Sequence, residues 1–431
     1  MRIDKALILG AALVALAGPS WAAGVCTVTP GDLNADGTPD LRIEGGTGPK
    51  ILLIELSQTQ TIVSLDCEGN NNFTGPSDVN HVDFGGGIQS LDTKLFGDST
   101  ITLNIIGPIT GRAIGFLLRG GAAGATVNVC QPPSTGAPNP CATGSLANSS
   151  LLVEVRSGQG PDRFYFNLPP GGVNHSTVLM RAESGDGNDW LTATTPGPVT
   201  NGSVVEFKLD PSGNANRLFY DHTGTISNSS VLVDVQGGAG VVDVGLNNIT
   251  GQVGAGGSLR YRAQMSRGKD QVTTNFDLAT FSVAAGGEAR FKIDGQADGD
   301  IITFTRNGTS GGTIAGLFEL AVNGGAGSDK ITVDLAGLAV TGTQRLRIDG
   351  FSGNELINVT NEIASGNPNL EFLVHGGAGL DKINLALTNN GTNLPANYGP
   401  ALGAVLDGGF FQNDVCTVTG NAIVLERGCE F

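Results

Sequence analysis

Basic residues, helix-forming runs and long apolar stretches are all scarce in this chain. Only 24 lysines and arginines stand against 40 aspartates and glutamates, for a formal net charge of −16. That balance argues against nucleic acid or an anionic membrane as partner and suits a protein that collects cations. Helix formers are thin. Val, Ile, Thr, Asn and Ser fill the intervals between 67 glycines, which predicts many short strands joined by turns. Motifs of common enzymes are missing as well: there is no HExxH, no P-loop and no dinucleotide fingerprint. The stretch 308-GTSGG-312 satisfies G-x-S-x-G but lies in a Gly/Ser loop without a strand-to-helix elbow.

The one long apolar run, 6-ALILGAALVALAG-18, follows Arg2 and Lys5 and precedes Ser20-Trp21-Ala22. A positive start, an apolar stretch too short to anchor in a bilayer and a small-residue end make an export signal. Residues 1–22 are therefore expected to be removed. The mature chain is expected to lack a membrane-spanning segment and to be secreted, held at the cell surface or kept in the periplasm, in a bacterial setting. The six cysteines, Cys26, Cys67, Cys130, Cys141, Cys416 and Cys429, form no CxxC and no His/Cys cluster. An even count in an exported chain points to disulfides. Sequence alone leaves the pairing open. Proximity favours Cys26–Cys67, Cys130–Cys141 and Cys416–Cys429, the first and last clamping the two ends and the middle one closing the Pro-rich loop 131-QPPSTGAPNP-140.

What the chain has in abundance is one turn. The stretch 324-GGAGSDKITVDL-335 returns as 376-GGAGLDKINLAL-387. Aligned on the last turn residue, a column emerges at Lys50, Ala125, Asp162, Asp189, Arg217, Val242, Asp270, Asp300, Asp329, Glu355, Asp381 and Asp414. From Asp162 to Asp381 its spacing stays between 25 and 30 residues, a stacked-repeat period. Two residues on, the side chain is apolar, as in Leu191, Phe219, Ile302, Ile331, Ile357 and Ile383. Four residues on it is usually apolar again, with Asp221 and Thr274 as breaks. A second alternating strand precedes each turn, for example Val153 and Val155 or Phe291 and Ile293. At Phe207 and Leu209 its phase slips by one, which predicts a shorter turn or a bulge. A weaker third segment follows. Three short segments in about 27 residues make one coil of a right-handed parallel β-helix, each coil advancing roughly 4.8 Å. A hairpin-built β-sandwich explains the strands but not a single inward column at constant period. The expected architecture is an all-β solenoid with disulfide-bonded caps: an N-terminal cap with degenerate coils over 23–145, a regular body over 146–405 and a C-terminal cap over 406–431.

Two motifs point to calcium. The stretch 32-DLNADGTPDL-41 places oxygen donors at alternate positions before a bend glycine, a wrapping suited to a hard cation. It resembles the calcium loop of FG-GAP/VCBS repeats. That resemblance implies side-chain ligands from Asp32, Asn34, Asp36 and Asp40 and a carbonyl from Thr38. The turns 157-SGQGPDRF-164, 184-SGDGNDWL-191, 324-GGAGSDKI-331 and 376-GGAGLDKI-383 resemble the GGxGxDxUx repeat of RTX proteins, which implies calcium held between coils by turn carbonyls and the Asp carboxylate. Asp300, Asp329, Glu355 and Asp381 offer carboxylates on four consecutive coils, with Asp294, Asn323, Asp349 and His375 as a second polar row. Stacked like charges repel unless protonated, solvated or bridged by cations. A plain Asp-capped glycine turn is the alternative reading of both motifs.

The expected function is a calcium-binding structural or adhesive protein of the cell surface or extracellular matrix, with extracellular glycans or surface proteins as partners. The rival is a carbohydrate-active β-helix enzyme, a polysaccharide lyase or hydrolase, built on 217-RLFYDH-222 and 260-RYRAQMSRGKD-270. No residue is assigned a catalytic role.

Overall fold

The computed structural model describes residues 26–431 except 33–39, 47, 71–77, 86–87, 96, 121–123, 131–138, 213–214, 239, 266, 278–279, 308–311, 367–368, 391–403, 410–413, 421–423, 428 and 430–431. Strands and turns account for every described element. They form a β-solenoid of about 10 turns with coils of roughly 27 residues.

Each coil has three sides. The first face carries strands of seven residues, such as Ser150–Arg156 and Glu288–Asp294. A tight glycine-rich corner leads to the second face, with strands such as Arg163–Asn167 and Ile301–Asn307. A third, shorter strand, such as Val173–Asn174 or Leu338–Val340, returns the chain to the first face. Like sides stack in parallel, residue over residue. On the first face Val153, Met180, Phe207, Val233, Tyr261 and Phe291 lie in one file. On the second, Ile302, Ile331, Ile357 and Ile383 pair in register from coil to coil and are fully buried. The alternation in the sequence is thus the pleat itself. Every second side chain enters a core only one solenoid wide, and the coil period places its equivalents directly above and below.

The phase slip at Phe207 has a different cause from a short turn. Phe207 and Leu209 pair in register with Met180 and Ala182 before them and with Val233 and Val235 after them. The corner residue of that coil is Asn216, not Arg217, because Asn216 Oδ1 accepts the Asp189 N–H at 3.0 Å. Leu218, not Phe219, is accordingly the buried residue of the next strand, and Tyr220 holds the second inward position. A bulge does occur farther along, between Asp221 and His222.

Parallel stacking reaches back beyond residue 146: Lys50–Leu56, Ser99–Ile105 and Ala125–Val129 lie in register. The N-terminal end is closed by antiparallel pairs. Cys26–Gly31 runs against Asp40–Gly45, and Thr61–Asp66 lies between Lys50–Leu56 and Val79–Asp83. Such pairs occupy strand edges that a bare coil would leave open. Three disulfides join Cys26 to Cys67, Cys130 to Cys141 and Cys416 to Cys429, and no described cysteine is free. Cys416 stands directly after Ile383 in the aliphatic file, so the last disulfide extends the core.

Candidate functional site: the carboxyl row

The corner between the first and second faces gathers the acidic column. Stacking places Lys50, Ser99, Ala125, Asp162, Asp189, Asn216, Val242, Asp270, Asp300, Asp329, Glu355, Asp381 and Asp414 at one position of successive coils. Asp162, Asp189 and every carboxyl from Asp270 onward are at most 2% exposed. In Asp162, Asp189, Asp300, Asp329, Asp381 and Asp414 one oxygen is committed to the stack itself, accepting a main-chain N–H from the preceding coil. Asp189 Oδ1 takes that of Asp162 at 2.9 Å, Asp300 that of Asp270 at 2.8 Å, Asp329 that of Asp300 at 2.7 Å, Asp381 that of Glu355 at 2.9 Å and Asp414 that of Asp381 at 2.8 Å. The row is a carboxyl ladder parallel to the solenoid axis, and it satisfies corner N–H groups that no strand can reach.

The second oxygen divides the row in two. In the early coils a serine five residues upstream meets it. Ser157 Oγ lies 2.5 Å from Asp162 Oδ2 and 2.7 Å from the Ser184 carbonyl oxygen, and Ser184 Oγ lies 2.6 Å from Asp189 Oδ2. In the later coils the same position is Gly295, Gly324, Gly350 or Gly376. There Asp300 Oδ2, Asp329 Oδ2, both oxygens of Glu355 and Asp381 Oδ2 are buried with no hydrogen-bond donor. These glycines sit in a tight corner lined by oxygen, with no room for a Cβ unless a neighbour shifts. A Cβ added at Gly324 would sit 2.5 Å from Asp329 Oδ2 and 2.9 Å from the Gly350 carbonyl oxygen. At Gly376 the figures are 2.6 Å to Asp381 Oδ2 and 2.7 Å to the Gly408 carbonyl oxygen. Gly295 repeats the arrangement with Asp300 Oδ2 and the Gly324 carbonyl. These niches recur at Gly295, Gly324 and Gly376, each joining a carboxyl oxygen of one coil to a carbonyl oxygen of the next.

Electrostatics follow the same division. Burial raises Asp162 to about 6, the Ser157 hydroxyl and the Ala125 N–H opposing the rise and the Asp189 charge adding to it. Burial raises Asp300 further, to about 8. Its bond from the Asp270 N–H opposes the shift, and the neighbouring Asp270, Asp329 and Asp298 add to it. Asp329 is raised by burial, and Glu355 by burial together with the neighbouring Asp381 and Asp329 carboxyls. An orphaned carboxyl oxygen facing a carbonyl needs a positive partner, and a proton or a hard cation supplies one. The niches offer oxygen donors only, the donor type that a hard cation takes. Among the described residues no three of His, Cys, Asp and Glu converge on one point, so a cation here would be shared between coils and completed by main-chain carbonyls.

The other expected ligands are placed differently. Asn34, Asp36 and Thr38 of the N-terminal loop lie outside the described residues. Asp32 is exposed, whereas Asp40 is buried and accepts the Ser90 hydroxyl at 2.5 Å. The second polar row is half-buried, with His375 Nδ1 3.2 Å from Asp349 Oδ1 and Asn323 Nδ2 3.4 Å from Asp294 Oδ1. The residues named for a lyase or hydrolase are dispersed. Arg217 lies over the Trp190 ring at 5.6 Å on the second face, Arg260 and Arg262 are exposed on the first face, and Tyr220, His222 and Tyr261 are in the core. Burial lowers His222 to about 4, so it is neutral there. Residues 308–311 of the G-x-S-x-G stretch lie outside the described residues. Sequence reading found the four late carboxyls but missed Asn216 and the alternation of serine with glycine five residues upstream, which was visible as SGQGPD against GGAGSD.

No family model, no curated protein and no solved structure matches the chain.

Proposed function

We propose that this protein is an exported, disulfide-capped β-solenoid that binds calcium along its carboxyl row and serves as a structural or adhesive element outside the cell. Three disulfides suit an oxidising compartment. Among the described residues no helix is long and apolar enough to cross a membrane. The single observation that carries the metal reading is the run of orphaned, buried carboxyl oxygens at Asp300, Asp329, Glu355 and Asp381. Ligand binding to the folded state alone raises stability with ligand concentration, and extracellular calcium is plentiful.

The test is the melting temperature of the mature protein at pH 8.5, first in EDTA and then in excess calcium. Calcium is expected to raise Tm by several degrees, since saturation at 100 times Kd contributes about 2.7 kcal/mol. An unchanged Tm, with no calcium in the purified protein by elemental analysis, removes the metal from the proposal.

A further inference from the structure

The first face carries a short basic strip on an otherwise acidic molecule. Its strands Ser258–Gln264, Glu288–Asp294, Leu317–Asn323 and Thr343–Asp349 lie side by side. Register stacks Arg260, Arg290, Glu319, Arg345 and Glu371 in one outward column and Asp234, Arg262, Lys292, Ala321 and Arg347 in the next. The two columns differ in one respect. Cations of the first are neutralised: Arg260 lies 3.7 Å and Arg290 3.3 Å from Glu288, Arg290 also reaches Glu319 at 3.5 Å, and Arg345 reaches Glu371 at 2.9 Å. Arg262, Lys292 and Arg347 are exposed and form no ion pair among the described residues. Asp294 and Asp349 bound the strip toward the glycine corner, where they hydrogen-bond Asn323 and His375 instead. Ala321 interrupts the cation row between Lys292 and Arg347.

We propose that this strip binds an acidic polysaccharide, one bearing carboxylate or sulfate groups, laid along the solenoid axis. The proposal rests on the adhesive reading above and names its ligand class. Cations fixed on neighbouring strands recur at roughly 4.8 Å and its multiples, a spacing comparable with the advance of a glycan chain per sugar. The strands of this face run side by side in register, so a flexible linear chain can follow the cation column along the axis. The net charge of −16 does not forbid the contact, because charges more than about 8 Å away are largely screened at physiological ionic strength.

The experiment uses the mature full-length protein and heparin as probe, with polygalacturonate as the carboxylate-only arm, read by titration at 50 and 300 mM salt. The triple substitution Arg262→Gln, Lys292→Gln, Arg347→Gln is expected to weaken heparin binding roughly 3- to 100-fold, the range that three exposed ion pairs span. The control pair Lys330→Gln, Lys382→Gln, on the second face, is expected to change it less than twofold, and all variants are expected to melt with the wild type. Absence of heparin and polygalacturonate binding at 50 mM salt, an unaffected triple variant, or equally tight binding of duplex DNA each overturns the proposal. Because the strip uses outward side chains of the first face and none of the corner carboxyls, its failure leaves the calcium-dependent Tm intact, and loss of the calcium effect leaves this binding intact.

Discussion

At the scale of single residues, the carboxyl row poses a choice between proton and cation that pH can expose. Asp300 titrates near 3.8 when unfolded and is raised to about 8 in the fold. In EDTA the folded state therefore holds the extra proton across that interval, and stability is lost as pH rises from about 4 through about 8. His222 acts in the opposite sense. Its value falls from 6.5 to about 4 on burial, so stability is lost as pH drops below about 6.5. Metal-free Tm is thus expected to peak on the acid side of neutrality and to fall by about 2 °C or more toward pH 9, with calcium restoring the alkaline side. A flat alkaline limb in EDTA would mean that these carboxyls ionise in the fold without cost. The niche can also be closed. Gly324→Ser places a hydroxyl where Ser157 stands in its own coil, at the cost of a small shift of the Asp329 side chain and the Gly350 carbonyl, which lie 2.5 and 2.9 Å from the added Cβ. The variant is expected to keep the fold, lower the pKa of Asp329 and shrink the calcium-induced rise in Tm. An undiminished calcium response would place the metal elsewhere.

At the scale of the coil, the repeated GGAGSD is a geometric necessity as much as a site. Positions four and two residues before the corner carboxyl have positive φ in four successive coils: 69° and 72° at Gln296 and Asp298, 96° and 147° at Gly325 and Gly327, 77° and 149° at Phe351 and Gly353, and 108° and 156° at Gly377 and Gly379. The turns stack as well, Ala297 bridging Ala326, Ala326 bridging Ser352 and Ser352 bridging Ala378. A Cβ at Gly327 would collide with the Asp298 carbonyl, and its φ disfavours any L side chain. Gly327→Ala is therefore expected to destabilise by about 2–4 kcal/mol, measured by denaturant unfolding. A loss under 0.5 kcal/mol would show that the corner flexes. These constraints explain what was legible in the sequence. Alternation gave the strands because the core is one solenoid wide, and constant period gave the file Ile302, Ile331, Ile357, Ile383. The slip at Arg217 misled because Asn is a carboxyl mimic: Asn216 Oδ1 accepts the same N–H, so the corner survives without the Asp on which the repeat was aligned. The serine–glycine switch went unread because a serine and a glycine look alike as turn residues, and only stacking shows that the serine hydroxyl meets a carboxyl oxygen that the glycine coils leave without a donor.

At the scale of the molecule, a stack of near-identical coils has nothing to stop it at its ends, and stability there depends on nearest neighbours alone. The interior has satisfied polar breaks, such as the reciprocal Gln344–Asn361 amide pair at 3.1 Å, but the terminal coils lack a neighbour on one side. The disulfides sit where that deficit lies. Cys26–Cys67 ties the outermost antiparallel strand to the hairpin covering the first coil, and Cys416–Cys429 closes the last one. Their sequence separations of 41 and 13 residues correspond to about 4 and 3 kcal/mol of lost unfolded-state entropy. Because coupling runs from coil to coil, removing a cap should not melt the rod at once. Cys416→Ser with Cys429→Ser is expected to raise amide hydrogen exchange in Ala404–Asp407 and Val415–Gly420 by one to two orders of magnitude, about 1.4–2.7 kcal/mol of local opening, while Ser150–Arg156 and Thr177–Glu183 keep their protection. Uniform loss of protection along the whole chain would show instead that the solenoid unfolds as a single cooperative unit and that the terminal disulfides hold all of it.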